Sequence, residues 1–267
     1  MTVRNWVYDR SIHGLTTFSI EDAKRAFPSL SLSHLSNELV DLANKSVIEA
    51  VYRGFYVIVP THYVLRGAVP PLYYIDQLMA YLGKPYYVSL LSASELLGAA
   101  HQRPQKFSVT TLLPQPRVSS TKNPLLTWIY RKEIAEEFLQ TKNTETGIVK
   151  FSSAELTALD LVQYSQNIGG LSRVATILEE LCEVMDMSRF TDRLCQYTTL
   201  TTLQRLGYIF EYVLYEPEKA DVIYDRIKAS GKKMLYTPLS KEHDIDDSER
   251  NKRWKILVNT EIEIDEI

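Results

Sequence analysis

The sequence predicts an α+β protein, with a small N-terminal winged helix-turn-helix followed by a larger mixed α/β domain rich in helices. Three observations carry the prediction. Between residues 18 and 60, two short amphipathic helices flank a proline-bearing turn, and two β-rich runs around a two-residue turn follow at once. Residues 61–71 then hold Pro70-Pro71 and no consistent period, as a linker does, which sets the domains at 1–62 and 63–267. From Ser153 onward helical periodicity dominates.

Residues 3–12, with Trp6 and Val7, read as a first helix closed by His13 and Gly14. Ser19 stands before Ile20, Glu21 and Asp22, an oxygen-bearing side chain followed by acids in the first turn, as a helix start prefers. A helix over 20–27 puts Ile20, Ala23 and Phe27 on one side, and Pro28 ends it. Ser31 and Ser33 offer caps for a second helix reaching about Lys45. Its Leu35, Leu39 and Leu42 form one stripe, while His34, Ser36, Asn37, Asp41 and Lys45 face the other way. After Ser46 the pattern changes. Residues 47–52 and 55–59 are rich in β-branched and aromatic side chains, and Arg53-Gly54 between them makes the turn, Gly54 supplying the positive φ.

Further along, helices are expected over 72–82 and 89–98, an extended piece at 86–88, and strands over 106–113, 125–130 and 147–151. A helix opening at Ser153 carries Leu156, Leu159 and Val162 on one face. Helical pieces follow over 171–185, 189–195, 199–206, 209–214 and 217–229, then strands over 254–258 and 261–267. Glu261, Glu263, Asp265 and Glu266 alternate with isoleucines, which fits the wet face of an edge strand better than a metal site.

The 267 residues carry a net charge of −3, with 45% hydrophobic and 24% charged content, as a globular chain does. No apolar run approaches the roughly 18–20 residues of a membrane span, and no apolar leader opens the chain, so a cytoplasmic protein is expected. Cys182 and Cys195 lack Cys-x-x-Cys spacing and read as buried thiols. There is no glycine-rich phosphate loop, no His-Glu-x-x-His and no Gly-x-Ser-x-Gly, and the five histidines have no zinc spacing. His243 with Asp244, Asp246 and Asp247 sits in a polar loop, which reads as solvated. No catalytic residue, metal or cofactor is therefore expected.

The outward face of the second helix suits the major groove of DNA, where Ser, His and Asn can exchange hydrogen bonds with base edges. The candidate readers are Ser31, Ser33, His34, Ser36, Asn37 and Lys45, with Arg53 from the hairpin tip and Lys24 and Arg25 on phosphates. Residues 1–60 hold six basic and six acidic side chains, so the same module could instead serve protein contacts alone. Residues 61–150 hold ten basic and six acidic side chains, and 151–267 hold fourteen and twenty-one. Within the basic middle, Lys84, Arg103, Lys106, Arg117, Lys122, Arg131 and Lys132 could hold phosphate backbone or an acidic partner if they share a face. Otherwise they are dispersed solubilising charge.

Blocks along the whole chain resemble the AbiEi-type antitoxins, the transcriptional-regulator half of bacterial AbiE toxin–antitoxin systems. The blocks are residues 18–60 with Gly54-Phe55-Tyr56, residues 86–98 with Gln102 and Pro104, residues 149–160, and Arg205-Leu206-Gly207-Tyr208. Ser46 stands where the family often has glycine. The resemblance implies a non-enzymatic antitoxin of type IV abortive infection, a phage-defence system. Its N-terminal domain would bind inverted repeats in its own promoter and repress it. Its C-terminal antitoxin domain would counter a nucleotidyltransferase-like toxin without requiring a stable complex. The alternative is a winged-helix interaction module that meets an acidic partner or RNA, without operator recognition.

Overall fold

The computed structural model describes residues 1–65, 68–99, 104–114, 116 and 126–264. These form a mixed α+β protein of two compact units. The first comprises Met1–Tyr87, Gln105–Ile134 and Thr141–Lys150, and the second Val88–Pro104, Ala135–Gln140 and Phe151–Ile267.

The first unit begins with helix α1 (Val3–Ile12), strand β1 (Thr17–Ser19), helices α2 (Ile20–Ala26) and α3 (Leu32–Asn44), and the hairpin β2 (Ile48–Tyr52) and β3 (Phe55–Ile58). Strand β1 is absent from the sequence reading. It pairs antiparallel with β3, Phe18 opposite Tyr56, and makes a three-stranded sheet of order β1-β3-β2. Three residues give too short a pattern to show a period; tertiary pairing defines the strand. Trp6, Val7, Phe18, Ala23, Phe27, Leu35, Leu39, Leu42 and Ile48 form one buried core. Trp6 lies edge-on to both Phe18 and Phe27, at 5.1 and 5.9 Å between centroids.

Local chemistry fixes the ends of these helices. Ser19 caps α2 in a reciprocal box: its hydroxyl accepts from Asp22 N–H, while its own N–H donates to the Asp22 carboxylate at 2.8 Å. At the other end of α3, Ser46 N–H donates to Ala43 O and Val47 N–H to Leu42 O, a closure that places Ser46 at φ +53°. The short helix α4 (Thr61–Val64) stands where a linker without structure is expected. Beyond it, α5 (Ile75–Leu82) buries Ile75, Leu78 and Met79.

The next strands, β4 (Tyr86–Val88), β5 (Phe107–Leu112), β6 (Leu126–Arg131), β7 (Leu139–Thr144) and β8 (Gly147–Ser152), form a sheet of order β6-β5-β4-β8-β7. Strands β5 and β6 run parallel, as do β4 and β8. Strand β7 is a second omission, since its Gln, Lys, Asn and Thr residues give no apolar face.

In the second unit, α6 (Leu90–Leu97) follows β4 and α7 (Ala154–Gln163) follows β8; α8 (Leu171–Val184), α9 (Asp192–Gln196), α10 (Leu200–Tyr212) and α11 (Pro217–Ala229) come after. Helix α7 is the centre, with α6, α8 and α10 packed on it. The single apolar face expected for α7 understates its burial, because Glu155, Thr157 and Asp160 are buried too. Glu155 accepts from Asp186 N–H at 3.0 Å, with Arg189 Nε 3.8 Å away.

Helix α10 runs unbroken through Gly207, where the sequence suggests two pieces. The small sheet of β9 (Thr237–Pro238), β10 (Glu249–Asn251) and β11 (Ile256–Val258) packs on it, in order β10-β11-β9. Gln204 Nε2 donates to the carbonyls of Leu235 and Trp254, and the Arg205 guanidinium donates twice to Pro238 O. Residues 261–264 form no strand, which corrects the edge-strand expectation there; Asp265, Glu266 and Ile267 lie outside the described residues.

Candidate nucleic-acid interface

The N-terminal half of α3 gathers four of the predicted readers on an exposed polar surface. Leu35, Leu39 and Leu42 anchor the helix in the core, and the helical period then turns Ser33, His34, Ser36 and Asn37 outward, all exposed. Ser31 is spent on the cap: its hydroxyl accepts from His34 N–H at 3.2 Å. That bond fixes the start of the helix and hence the direction of the exposed face.

Charge on this surface is largely neutralised from within. Arg25 reaches Asp22 at 2.5 Å and Lys45 reaches Asp41 at 2.5 Å, while His34 Nε2 lies 3.9 Å from Glu38. Lys24 is half-buried on α2. Arg53 is exposed and makes no ion pair among the described residues. The backbone of the hairpin tip is held, not splayed. Gly54 O accepts from Ile20 N–H at 2.8 Å, and the Tyr81 hydroxyl donates to Arg53 O at 3.5 Å. Tyr81 also lies on Phe55, at 5.2 Å between ring centroids. Gly54 sits at φ +74°, and a Cβ there would press at 3.1 Å on both Ile20 and the Tyr81 hydroxyl.

Two side chains on the same helix escaped the sequence reading, Leu32 at 57% and Val40 at 59% exposure. They break the apolar-in, polar-out pattern of α3, and that departure was the available signal.

Four of the seven basic middle residues, Lys84, Lys106, Arg131 and Lys132, lie among the described residues, and they fall at two places. Lys84 donates to Leu112 O at the end of β5, and Leu112 is paired across the sheet with Arg131, next to Lys132. Lys84, Arg131 and Lys132 are thus near one end of the β5–β6 pair. Lys106 precedes the opposite end of β5, six residues or about 20 Å from Leu112 along the strand. Arg103, Arg117 and Lys122 lie outside the described residues.

No group of three metal-ligating side chains occurs among the described residues. Asp244 spends its carboxylate on the N–H groups of Ile245 and Asp246 in an exposed loop. Burial pushes the Cys182 thiol up to about 12 and that of Cys195 up to about 11, so neither is a ready nucleophile. No described helix is long and apolar enough to cross a membrane.

Residues 87–212 match the family model of the AbiEi antitoxin C-terminal domain. The chain carries an AbiEi antitoxin domain. It supports an antitoxin role within a toxin–antitoxin system, and it bears out the family resemblance read from the sequence. The AbiEi domain spans just under half of the chain and begins after the α3 surface, so it is silent on what that surface binds. Arg205 and Gly207, from one of the blocks that resemble the family, serve as architecture: they seat the C-terminal strands on α10. The crystal structure of RV2827C protein from Mycobacterium tuberculosis is similar in fold, with a TM-score of 0.69 at 12% identity. The alignment covers 94% of this chain and 88% of that one. No curated protein matches the chain.

Proposed function

We propose that this chain is a cytoplasmic, non-enzymatic antitoxin whose N-terminal 62 residues form a winged helix-turn-helix that binds inverted repeats in its own promoter and represses it. The remainder counters a nucleotidyltransferase-like toxin. The observation that carries the DNA-binding part is the exposed face of α3: Ser33, His34, Ser36 and Asn37 project from a helix anchored by three buried leucines and preceded by α2. The order helix, strand, helix, helix, hairpin supports the winged-helix reading. Side chains of this kind can satisfy donors and acceptors on base edges, while Arg53 and Lys24 reach toward phosphates. Because Arg25 and Lys45 are already paired, one copy binds weakly, and inverted repeats occupied by two copies supply the rest.

The testing experiment is a mobility shift with the DNA upstream of the chain's own gene and a scrambled duplex, at several salt concentrations. Preference for the upstream fragment with a salt-dependent affinity is expected; equal affinity for the two duplexes overturns it. The antitoxin part is tested separately by co-expression with the neighbouring toxin gene, where restored growth is expected.

A second reading, a winged helix that docks protein, draws on the exposure of Leu32 and Val40 on the same helix. Loss of a partner protein on Val40→Ser, with DNA preference absent, would select it.

A further inference from the structure

The second unit holds an open groove of about 500 Å³ between the end of α10 and the chain that leaves β11, lined by Tyr208, Tyr212, Leu239, Val258 and Glu261 among others. Its floor is aromatic: Tyr208 and Tyr212 stack at 5.2 Å, and Tyr212 is 44% exposed. Among the described residues its lining carries one charged side chain, the Glu261 carboxylate. Glu249 pairs directly across the sheet from Val258, so the two side chains share the groove side, whereas the next pair, Arg250 and Leu257, points to the other side. Tyr208 feels Glu249: burial first, and then that carboxylate, raise its hydroxyl pKa.

Three neighbouring cations are engaged elsewhere. Arg250 and Lys255 both lie over the Tyr236 ring, at 5.6 and 5.1 Å. Arg253 is held by Glu211 and Asp221 and lies over Tyr224. Neither Glu249 nor Glu261 makes an ion pair among the described residues. A groove with tyrosine faces and two unneutralised carboxylates is complementary to a guanidinium or ammonium carried on an apolar stem.

We propose that this groove is a docking site for a protein segment bearing arginine or lysine flanked by aliphatic residues. The cation stacks on the Tyr212 face between Glu249 and Glu261, and the aliphatic neighbour packs on Leu239 and Val258. Phosphate-bearing occupants such as nucleic acid or an anionic lipid surface are repelled by the same carboxylates. The site is independent of the DNA-binding reading, since it involves none of the residues of the α3 face.

The test uses the full chain and two fluorescein-labelled octapeptides, four Arg-Leu repeats and four Glu-Leu repeats, followed by fluorescence anisotropy. The arginine peptide is expected to bind saturably, and the glutamate peptide is not. Binding of the arginine peptide should weaken about tenfold in the double variant Glu249→Gln/Glu261→Gln and at high salt, and about fivefold in Tyr212→Ala. The melting temperature of the double variant should stay within about 2 °C of the wild type, because both carboxylates are exposed. Three results overturn the proposal: no saturable binding up to about 1 mM, equal binding of both peptides, or undiminished affinity in the double variant. A wild-type dimer in sedimentation equilibrium that Tyr212→Ala dissolves would also overturn it, assigning the groove to a second copy of the chain.

Discussion

Gly207 lies directly beneath the indole of Trp254: a Cβ built on Gly207 would overlap the six-membered ring of that buried side chain. Trp254 cannot move aside easily. Its indole N–H donates to Glu211 Oε2 at 2.6 Å, and Tyr224 meets it edge-on at 5.4 Å. Gly207→Ala is therefore expected to destabilise the protein by about 3 kcal/mol through overpacking, although alanine is the better helix former. The companion Gly207→Ala/Trp254→Leu should lose less than the two single changes combined. Denaturant melts of the four proteins check this; additivity would show that the two sites do not communicate.

Ser46 offers the opposite sign. It closes α3 at φ +53°, a conformation that costs an L side chain roughly 1 kcal/mol and costs glycine little. Ser46→Gly should raise the unfolding free energy by about 0.5–1 kcal/mol, and Ser46→Val should lower it by more than that. The urea midpoint, at unchanged slope, is the measurement.

Much of the first unit was legible because its signals are local. Ser19, Pro28, Ser31 and Gly54 each act on backbone within four residues, so caps and turns can be read one at a time. What escaped depends on partners far along the chain. Strand β1 exists because Phe18 finds Tyr56, and α10 runs unbroken because Gly207 serves a tryptophan 47 positions later instead of ending a helix. The candidate reading face was legible from the leucine stripe of α3. The spacings behind its neutralisation, Arg25–Asp22 and Lys45–Asp41, are written in the sequence, but the seating of Tyr81 on the hairpin tip is not.

The capping box of α2 makes stability depend on acid. Burial raises the Asp22 pKa, but hydrogen bonds from the Ser19 N–H and hydroxyl and from Arg25 outweigh it, and the net shift is downward. A carboxyl depressed in the folded state stabilises above its unfolded pKa and loses that contribution as pH falls through the folded value. The melting temperature should therefore drop below about pH 4, and Ser19→Ala should cost about 1 kcal/mol at neutral pH. Asp22→Asn should flatten the part of the acid profile that this group supplies. An identical profile in wild type and Asp22→Asn would remove Asp22 as its source.

Under the proposed DNA binding, Asn37 and Arg53 should separate base contacts from phosphate contacts. Asn37 is exposed on α3, so Asn37→Ala should leave the melting temperature unchanged. If its amide meets a base edge, the change should lower affinity for the upstream DNA about tenfold and relax preference at one base position. Arg53 carries a charge with no ion-pair partner among the described residues. Arg53→Ala should weaken upstream and scrambled duplexes alike and reduce the slope of log affinity against log salt by about 1. Lys45 gives the internal control: paired with Asp41 at 2.5 Å, it has less charge to offer, so Lys45→Ala should change the slope less than Arg53→Ala. A larger effect at Lys45 would mean that DNA breaks the Asp41 pair, and it would shift the contact surface from the hairpin toward the C-terminal end of α3.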